Sequence, residues 1–277
     1  MRDFFDPQVN PQPTVPGTTG FLDDREMDDR LVSIITPAYN ASACLPATIE
    51  SVLGQTYPHW ELLIADDCSV DNTRALTASW SAKDARIRLV TLPTNSGPAA
   101  ARNAALAAAQ GRWVAFLDSD DLWLPEKLAR SLDFARLQGA ALVYTGYRRI
   151  NIKGQRTGQY IGVPPRLTYK QLLGNTAIAT STVLIDRRQT GAVHMAQVYY
   201  DDFVCWLEIL KRGLTAHGLN EDLMRYRVMP KSVSRNKRRS AAEVWKIYRG
   251  TERLGIFAAS WHFSNYAIRA WLKYRQF

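Results

Sequence analysis

The sequence predicts an α/β fold in which a mostly parallel sheet is covered by helices on both faces, and three observations carry that expectation. Short runs of strand character alternate with amphipathic stretches between residues 31 and 117. Strands buried on both faces read this way, and parallel pairing needs helical crossovers between them. Acids gather directly after two of the runs, at Asp66-Asp67 and from Asp118 to Asp121, where the carboxyl ends of parallel strands open onto a ligand crevice. With 277 residues the chain can bury a substantial core, as one large or two fused α/β domains.

The first strand is Leu31 to Thr36, and Ala43 to Gln55 follows as a helix because Leu45, Ile49, Val52 and Leu53 recur at helical spacing. Trp60 to Ala65 is a second strand, Thr73 to Lys83 a second helix, Ile87 to Leu92 a third strand and Ala99 to Ala109 a third helix. Arg112 to Leu117 makes the fourth strand. Pro125 suits a helix first turn, so Glu126 to Gln138 reads as helix. Leu142 to Ile150 is then a strand closed by a turn at Asn151 to Gly154, residues 155 to 200 mix short strands with loops, and Phe203 to Lys211 is a helix with Gly213 near its end.

The termini differ from this body. Residues 1 to 30 carry Pro7, Pro11, Pro13 and Pro16 with seven acids and three basic residues, and read as a disordered tail without the apolar segment of a secretory signal. No apolar run is long enough to span a bilayer as a helix. Cys44, Cys68 and Cys205 are widely spaced, which argues against a disulfide framework and for a reducing, cytoplasmic setting. Net charge is +9, yet Arg225 to Phe277 holds thirteen Lys or Arg and two Glu, a balance of +11 that leaves −2 for everything before it. In residues 236 to 277, Val244, Ile247, Tyr248, Phe257, Trp261, Ile268 and Trp271 recur at near-helical spacing among Lys246, Arg249, Arg253, Arg269 and Lys273. Amphipathic helices so rich in aromatic residues suit peripheral contact with an anionic membrane surface rather than nucleic acid. The alternative is that they pack back on the domain with the basic residues as a solvated face.

The stretch Phe116-Leu117-Asp118-Ser119-Asp120-Asp121 is the most informative in the chain. The strand reads Arg112 to Leu117, and period-two geometry turns Asp118 and Asp120 the same way while Ser119 points away. Two hard oxygen donors beside water suit Mg²⁺ or Mn²⁺ bridging substrate phosphates, and no Cys/His cluster offers zinc a site. An Asp-x-Asp pair alone is weak, because such pairs are common in solvated turns. It is the last of four clusters in order, after Pro37-Ala38-Tyr39-Asn40, Asp66-Asp67-Cys68-Ser69-Val70-Asp71-Asn72-Thr73, and Asn95-Ser96-Gly97 running to Arg102-Asn103.

These four ordered clusters, over about residues 31 to 235, resemble glycosyltransferase family 2, inverting enzymes of the GT-A fold with a Rossmann-like nucleotide half (31–125) and a fused acceptor-binding half (126–235). In detail the chain looks like bacterial surface-polysaccharide transferases of the teichuronic-acid type. That likeness rests on Leu173-Gly174-Asn175, Ser181-Thr182-Val183, Leu219-Asn220-Glu221, Tyr226-Arg227-Val228 and Ser232-Val233-Ser234.

The resemblance implies that Thr36, Pro37, Tyr39 and Asn40 line the base and ribose. Asp67 can accept the imide N–H of uracil, a contact cytosine cannot make. Gly97 lets the backbone pass close to the nucleotide, and Arg102 can reach base or diphosphate with its planar fork. Asp118 would hold ribose or a metal-bound water, and Asp120 the metal itself. Asp71 with Thr73 reads as a turn and helix cap. In Tyr200-Asp201-Asp202-Phe203-Val204-Cys205-Trp206, two acids open a helix, where acids are often dipole partners. The resemblance instead makes Asp202 the general base for the acceptor hydroxyl, with Asp201 its neighbour in acceptor binding or positioning and Trp206 on the acceptor side.

Three departures from the family pattern stand out. Met229-Pro230 replaces the histidine that many relatives carry after the Tyr-Arg pair, Cys68 replaces a commoner glycine, and the Gln-x-x-Arg-Trp signature of processive synthases is absent. The expected activity is therefore metal-dependent transfer of one sugar from a nucleotide donor, a UDP-sugar, to a hydroxyl of a lipid-linked saccharide in cell-surface polysaccharide synthesis. A sugar nucleotidyltransferase is one rival, disfavoured because the first loop lacks a Gly-rich phosphate cradle. A catalytically silent nucleotide-binding protein is the other, and the intact Asp118, Asp120 and Asp202 argue against it.

Overall fold

The computed structural model describes residues 27–155, 157–229 and 237–274. The disordered-tail expectation up to residue 26, and the Ser232-Val233-Ser234 element, lie outside the described residues. The remainder of the expected tail is already structured: Met27 is buried and β1 (Asp28–Ala38) begins ahead of the run read as strand.

After β1 the chain runs through α1 (Leu45–Leu53), β2 (Trp60–Asp66), α2 (Thr73–Ser81), β3 (Ile87–Thr91), α3 (Pro98–Ala108) and β4 (Gly111–Phe116). β5 (Leu122–Trp123), α4 (Lys127–Gln138), β6 (Leu142–Ile150), β7 (Thr157–Ile161), β8 (Arg166–Leu167) and α5 (Tyr169–Leu173) come next. A 3₁₀ turn (Thr180–Thr182), β9 (Leu184–Asp186), α6 (Arg187–Thr190), α7 (Asp201–Lys211) and β10 (Ala216–Arg227) complete the domain. α8 (Lys237–Lys246), a π-helical turn (Ile247–Thr251) and α9 (Ile256–Tyr274) follow. Local chemistry sets several ends. Pro98 opens α3 behind Gly97 at φ 88°, a Thr168–Gln171 capping box opens α5, and Gly139 at φ 57° closes α4 in the left-handed region that lacks a penalty only for glycine.

The strands form one sheet in the order β3-β2-β1-β4-β9-β6-β10-β5, with β7 on β6 and β8 on β10. Pairing is parallel throughout β1 to β4. Beyond β4 the sheet is mixed: β9 is antiparallel to both β4 and β6, β6 and β10 are parallel, and β5, β7 and β8 pair antiparallel. The mostly parallel character thus belongs to the nucleotide half. Alternate residues feed opposite cores, as period-two geometry requires. Ile35, Leu63, Val114 and Phe116 join α3, α5, α7 and the C-terminal helices, while Ile34, Leu62, Trp113 and Ala115 join α1 and α4.

β4 lies tight against β1 at Gly111, whose N–H donates to Ser33 Oγ at 2.9 Å while that hydroxyl donates to Glu61 at 2.7 Å. A Cβ at Gly111 would meet the Leu31 carbonyl oxygen at 2.4 Å and the Ser33 nitrogen at 3.0 Å, both main-chain atoms of a central strand. Gly111→Ala should therefore cost about 2 kcal/mol or more, measured by chemical denaturation. A variant as stable as the parent would show that β1 can yield there.

Candidate active site

Because β1, β2 and β4 are parallel, their carboxyl ends meet at one edge, and a cavity of about 290 Å³ opens there. Pro37, Tyr39, Asp67, Gly97, Arg102, Asp118 and Asp120 line it, together with Ala38, Asn95, Pro98, Ala101 and Ser119. Two residues expected on its wall are elsewhere. Thr36 is fully buried one residue before the lining Pro37. Asn40 turns its side-chain carbonyl to the β2 loop, accepting from the Val70 amide at 2.9 Å. Tyr39, by contrast, is half exposed and presents a ring at the mouth.

Asp67 is almost fully enclosed and already occupied: its two carboxylate oxygens accept the N–H groups of Ser96 (2.7 Å) and Gly97 (2.8 Å). The loop before α3 is thus wrapped around this one side chain. Each oxygen retains a second lone pair. Asp71 accepts from the Thr73 amide (2.9 Å) and the Ser42 amide (3.1 Å); desolvation works against its ionisation, but these hydrogen bonds hold it at about 2, as suits a turn residue, while the N-cap position of α2 itself is Asn72, without a side-chain cap. Cys68 adopts φ 61°. The commoner glycine would hold that conformation freely, so the cysteine carries strain of roughly 1–2 kcal/mol.

Asp118 to Asp121 do not continue β4. The strand ends at Phe116, and the Asp121 amide donates to the Asp118 carbonyl at 3.0 Å, making a turn. Asp118 and Asp120 share the cavity through this turn rather than through strand alternation, and Ser119 lines it with them instead of pointing away. Four braces hold the turn. Thr48 Oγ1 donates to the Asp121 carbonyl (2.9 Å), and Arg227 Nε to the Asp120 carbonyl (2.7 Å). The Arg227 amide donates to the Asp121 carboxylate (2.9 Å), and Ser181 Oγ accepts from the Asp118 amide (3.0 Å) while donating to Asp121 (2.6 Å). Burial, then the charges of Asp120 and Asp118, push Asp121 well up; it is a bracing group.

Arg102 is 6 % exposed and uses its fork on two carboxylates, NH2 to Asp118 and NH1 to Asp201, each at 2.6 Å. Burial opposes its charge, but Asp118, Asp201 and Asp202 together outweigh that and raise it. Next to it, the Asn103 amide exchanges two 2.8 Å hydrogen bonds with the Met195 backbone, fixing the approach to α7. Asp201 is buried at the start of α7 and paired with Arg102, which is the positioning alternative rather than direct acceptor contact. Trp206 is corrected too: at 1 % exposure, packed edge-on to Phe116 at 5.3 Å, it is a core side chain out of reach of any acceptor. Asp202 remains partly accessible, its carboxylate accepting from Thr180 Oγ1 (2.6 Å) and the Phe203 amide (2.7 Å).

Thr180, Ser181, Asn103 and Arg227 were not singled out as site residues from sequence. Asn103, Ser181 and Arg227 lie inside motifs that carry the family likeness, which is the available signal. No group of three His, Cys, Asp or Glu side chains among the described residues forms a metal cage. The carboxylates of Asp118 and Asp120 nevertheless suit a divalent cation completed by diphosphate oxygens and water. Burial first, then the Asp118 charge, raise Asp120 to about 6 against the opposing pull of Arg227, which is the repulsion a cation would relieve.

This repulsion has a sign. Asp120 holds its proton more tightly folded, near 6, than unfolded, near 3.8, so its contribution to stability is present below pH 4 and lost as pH rises through 6. Asp120→Asn should raise the thermal midpoint of metal-free protein at pH 7.5 and much less at pH 4. Equal shifts at both values would show that the carboxyl is not strained.

The sequence profile of glycosyl transferase family 2 matches residues 33–189. The chain is 46% identical over 241 residues to TuaG of Bacillus subtilis (strain 168), named for teichuronic acid biosynthesis, covering 87% of this chain and 96% of that protein. It is 40% identical over 222 residues to WfgD of Escherichia coli, a UDP-Glc:α-D-GlcNAc-diphosphoundecaprenol β-1,3-glucosyltransferase, covering 80% and 86%. In three dimensions it is similar to S. aureus TarS 1-349 in complex with UDP, at TM-score 0.63 and 19% identity over 85% of this chain and 70% of that one. The mannosyltransferase PcManGT from Pyrobaculum calidifontis, in complex with GDP-Man and Mn²⁺, gives TM-score 0.64 at 19% identity over 87% and 73%. These two likenesses are of fold, and the fold is GT-A. With the profile spanning more than half of its length and relatives of this identity along most of it, the chain belongs to glycosyltransferase family 2 and is a glycosyltransferase.

Proposed function

We propose that this protein transfers one sugar, with inversion, from a UDP-sugar to a hydroxyl of a lipid-linked saccharide in cell-surface polysaccharide synthesis. One observation carries the reading: Arg102 joins a nucleotide-sized cavity, through Asp118, to the helix start that holds Asp202. Donor pocket and base candidate are thereby one construction. The relatives' printed activities support the donor and acceptor classes, since WfgD is named for UDP-Glc and a diphosphoundecaprenol-linked sugar.

In this reading Tyr39 stacks on the base and Asp67 receives its imide N–H with a lone pair left by the Ser96 and Gly97 amides. Asp120, with Asp118, would hold Mg²⁺ or Mn²⁺, which supplies positive charge to the departing diphosphate. The acceptor oxygen attacks the anomeric carbon from the face opposite the diphosphate. Its new bond forms as the carbon–oxygen bond to the diphosphate breaks, and its proton passes to Asp202. A carboxylate is a weak base for an alcohol, so proton transfer to Asp202 is late and coupled to attack. A lipid-linked acceptor puts the reaction at a membrane–water boundary; no helix among the described residues is long and apolar enough to cross a membrane.

The decisive experiment pairs two variants with a panel of nucleotide sugars and membrane lipid extract. Asp202→Asn should lower kcat about 10²–10⁴-fold while calorimetric UDP affinity stays within a few-fold. Asp120→Asn should abolish metal-dependent turnover without rescue by excess Mg²⁺ or Mn²⁺. Collapse of UDP binding in Asp202→Asn would move that residue into the donor pocket and end its assignment as base.

A further inference from the structure

α9 has two apolar faces, one packed on the domain and the other largely exposed. Ala259 is fully buried, and His262, Phe263 and Tyr266 are half-buried on the same side, with Phe263 edge-on to Trp245 at 5.7 Å. The opposite side carries Phe257, Trp261, Ile268 and Trp271, exposed by 89%, 70%, 58% and 59%. Steps of four, seven and three residues keep these four on a single stripe. Large apolar side chains exposed in a row mark a contact surface rather than ordinary surface scatter.

The occupant can be read from charge and side-chain type. α9 contains no acid, and residues 237–274 hold eight Lys or Arg against two Glu. A second copy of α9 would meet it with charge of the same sign, whereas an anionic surface complements it. Tryptophan, with an apolar ring and one N–H donor, favours the boundary between lipid headgroups and acyl chains. We propose that the outward stripe of α9 seats this protein on an anionic lipid surface, a partner that follows from, and rests on, the lipid-linked acceptor proposed for the active site.

The seat is built into the acceptor half. Glu252, after the π-helical turn, accepts from Tyr169 of α5 and pairs with Lys211 of α7 at 3.0 Å. Tyr248 donates to the Leu173 carbonyl, and a Cβ at Gly174 would come within 3.1 Å of the Asn265 Cβ. α9 therefore packs beside α5 at Gly174, and the turn that leads into it is tied to the far end of α7, the helix that begins with Asp201 and Asp202. Docking through α9 would hold that helix at a set height over the headgroups.

The test is sedimentation of full-length protein with phosphatidylcholine vesicles and with mixed phosphatidylglycerol–phosphatidylcholine vesicles. The parent should bind only the anionic vesicles and be released by high salt. A variant with Phe257→Ser, Trp261→Ser, Ile268→Ser and Trp271→Ser should lose at least about 100-fold in partitioning. Arg253→Glu with Arg269→Glu should lose at least about ten-fold. Thermal midpoint and calorimetric UDP binding report folding and the donor site in all three proteins and should not change. Parent protein that ignores anionic vesicles, or a stripe variant that binds them equally, would overturn the proposal. So would a parent dimer that the four substitutions dissolve while vesicle binding persists. Vesicle binding without UDP binding in the parent would instead strike the active-site reading alone.

Discussion

Everything around the cleft depends on one enclosed guanidinium. Arg102 is charged, nearly without solvent, and held between Asp118 of the acidic turn and Asp201 of α7. Removing either carboxylate would leave a buried charge short of a partner, a cost that typically reaches 3–5 kcal/mol. The arrangement is stable only as a set, so the acidic turn, α3 and the start of α7 keep a fixed geometry. Its Nε is buried with no hydrogen-bond partner among the described residues, so the fork is held through its two terminal nitrogens alone. A site arranged in this way is organised before substrate arrives.

Much of this was legible in the sequence, and the boundary of legibility is physical. The nucleotide half could be read almost element by element, because Leu62-Leu63-Ile64 or Val114-Ala115-Phe116 is apolar toward both cores and strand and helix alternate along the chain. The clustered acids pointed to the right edge of the sheet. Their conformation did not follow, because a turn closed by the Asp121 amide is decided by Thr48, Ser181 and Arg227, which arrive from other elements. Ser181 reaches Asp118 because β9 runs antiparallel to β4, and Arg227 reaches Asp120 because β10 pairs antiparallel with β5, with Arg225 opposite Leu122. Such pairings leave no periodic mark. Trp206 misled for a related reason: the family likeness implied a place on the acceptor side, but the helix turns it into the core.

The C-terminal helices show the same limit from the other side. Their near-helical apolar spacing fitted both a membrane surface and a second layer of core. The structure divides the residues between these fates: Val244, Ile247 and Tyr248 are buried with the domain, while Phe257, Trp261 and Ile268 are outside. One helix thus carries two hydrophobic stripes, one spent on folding and one left over.

The place of β9 in the sheet has a consequence for how the chain comes to be folded. β1 to β4 follow one another along the sequence and can assemble as they emerge from the ribosome, but the far edge of β4 has no neighbour until Leu184–Asp186 has been synthesised. An apolar strand held open in that interval is a template for pairing with other nascent chains. Competence to hold nucleotide would also come late and all at once, since the acidic turn lacks Ser181 and then Arg227 until nearly the whole domain exists. A half-made protein would accordingly be unable to sequester donor in the cell, and demand on chaperones should be greatest over that window of translation.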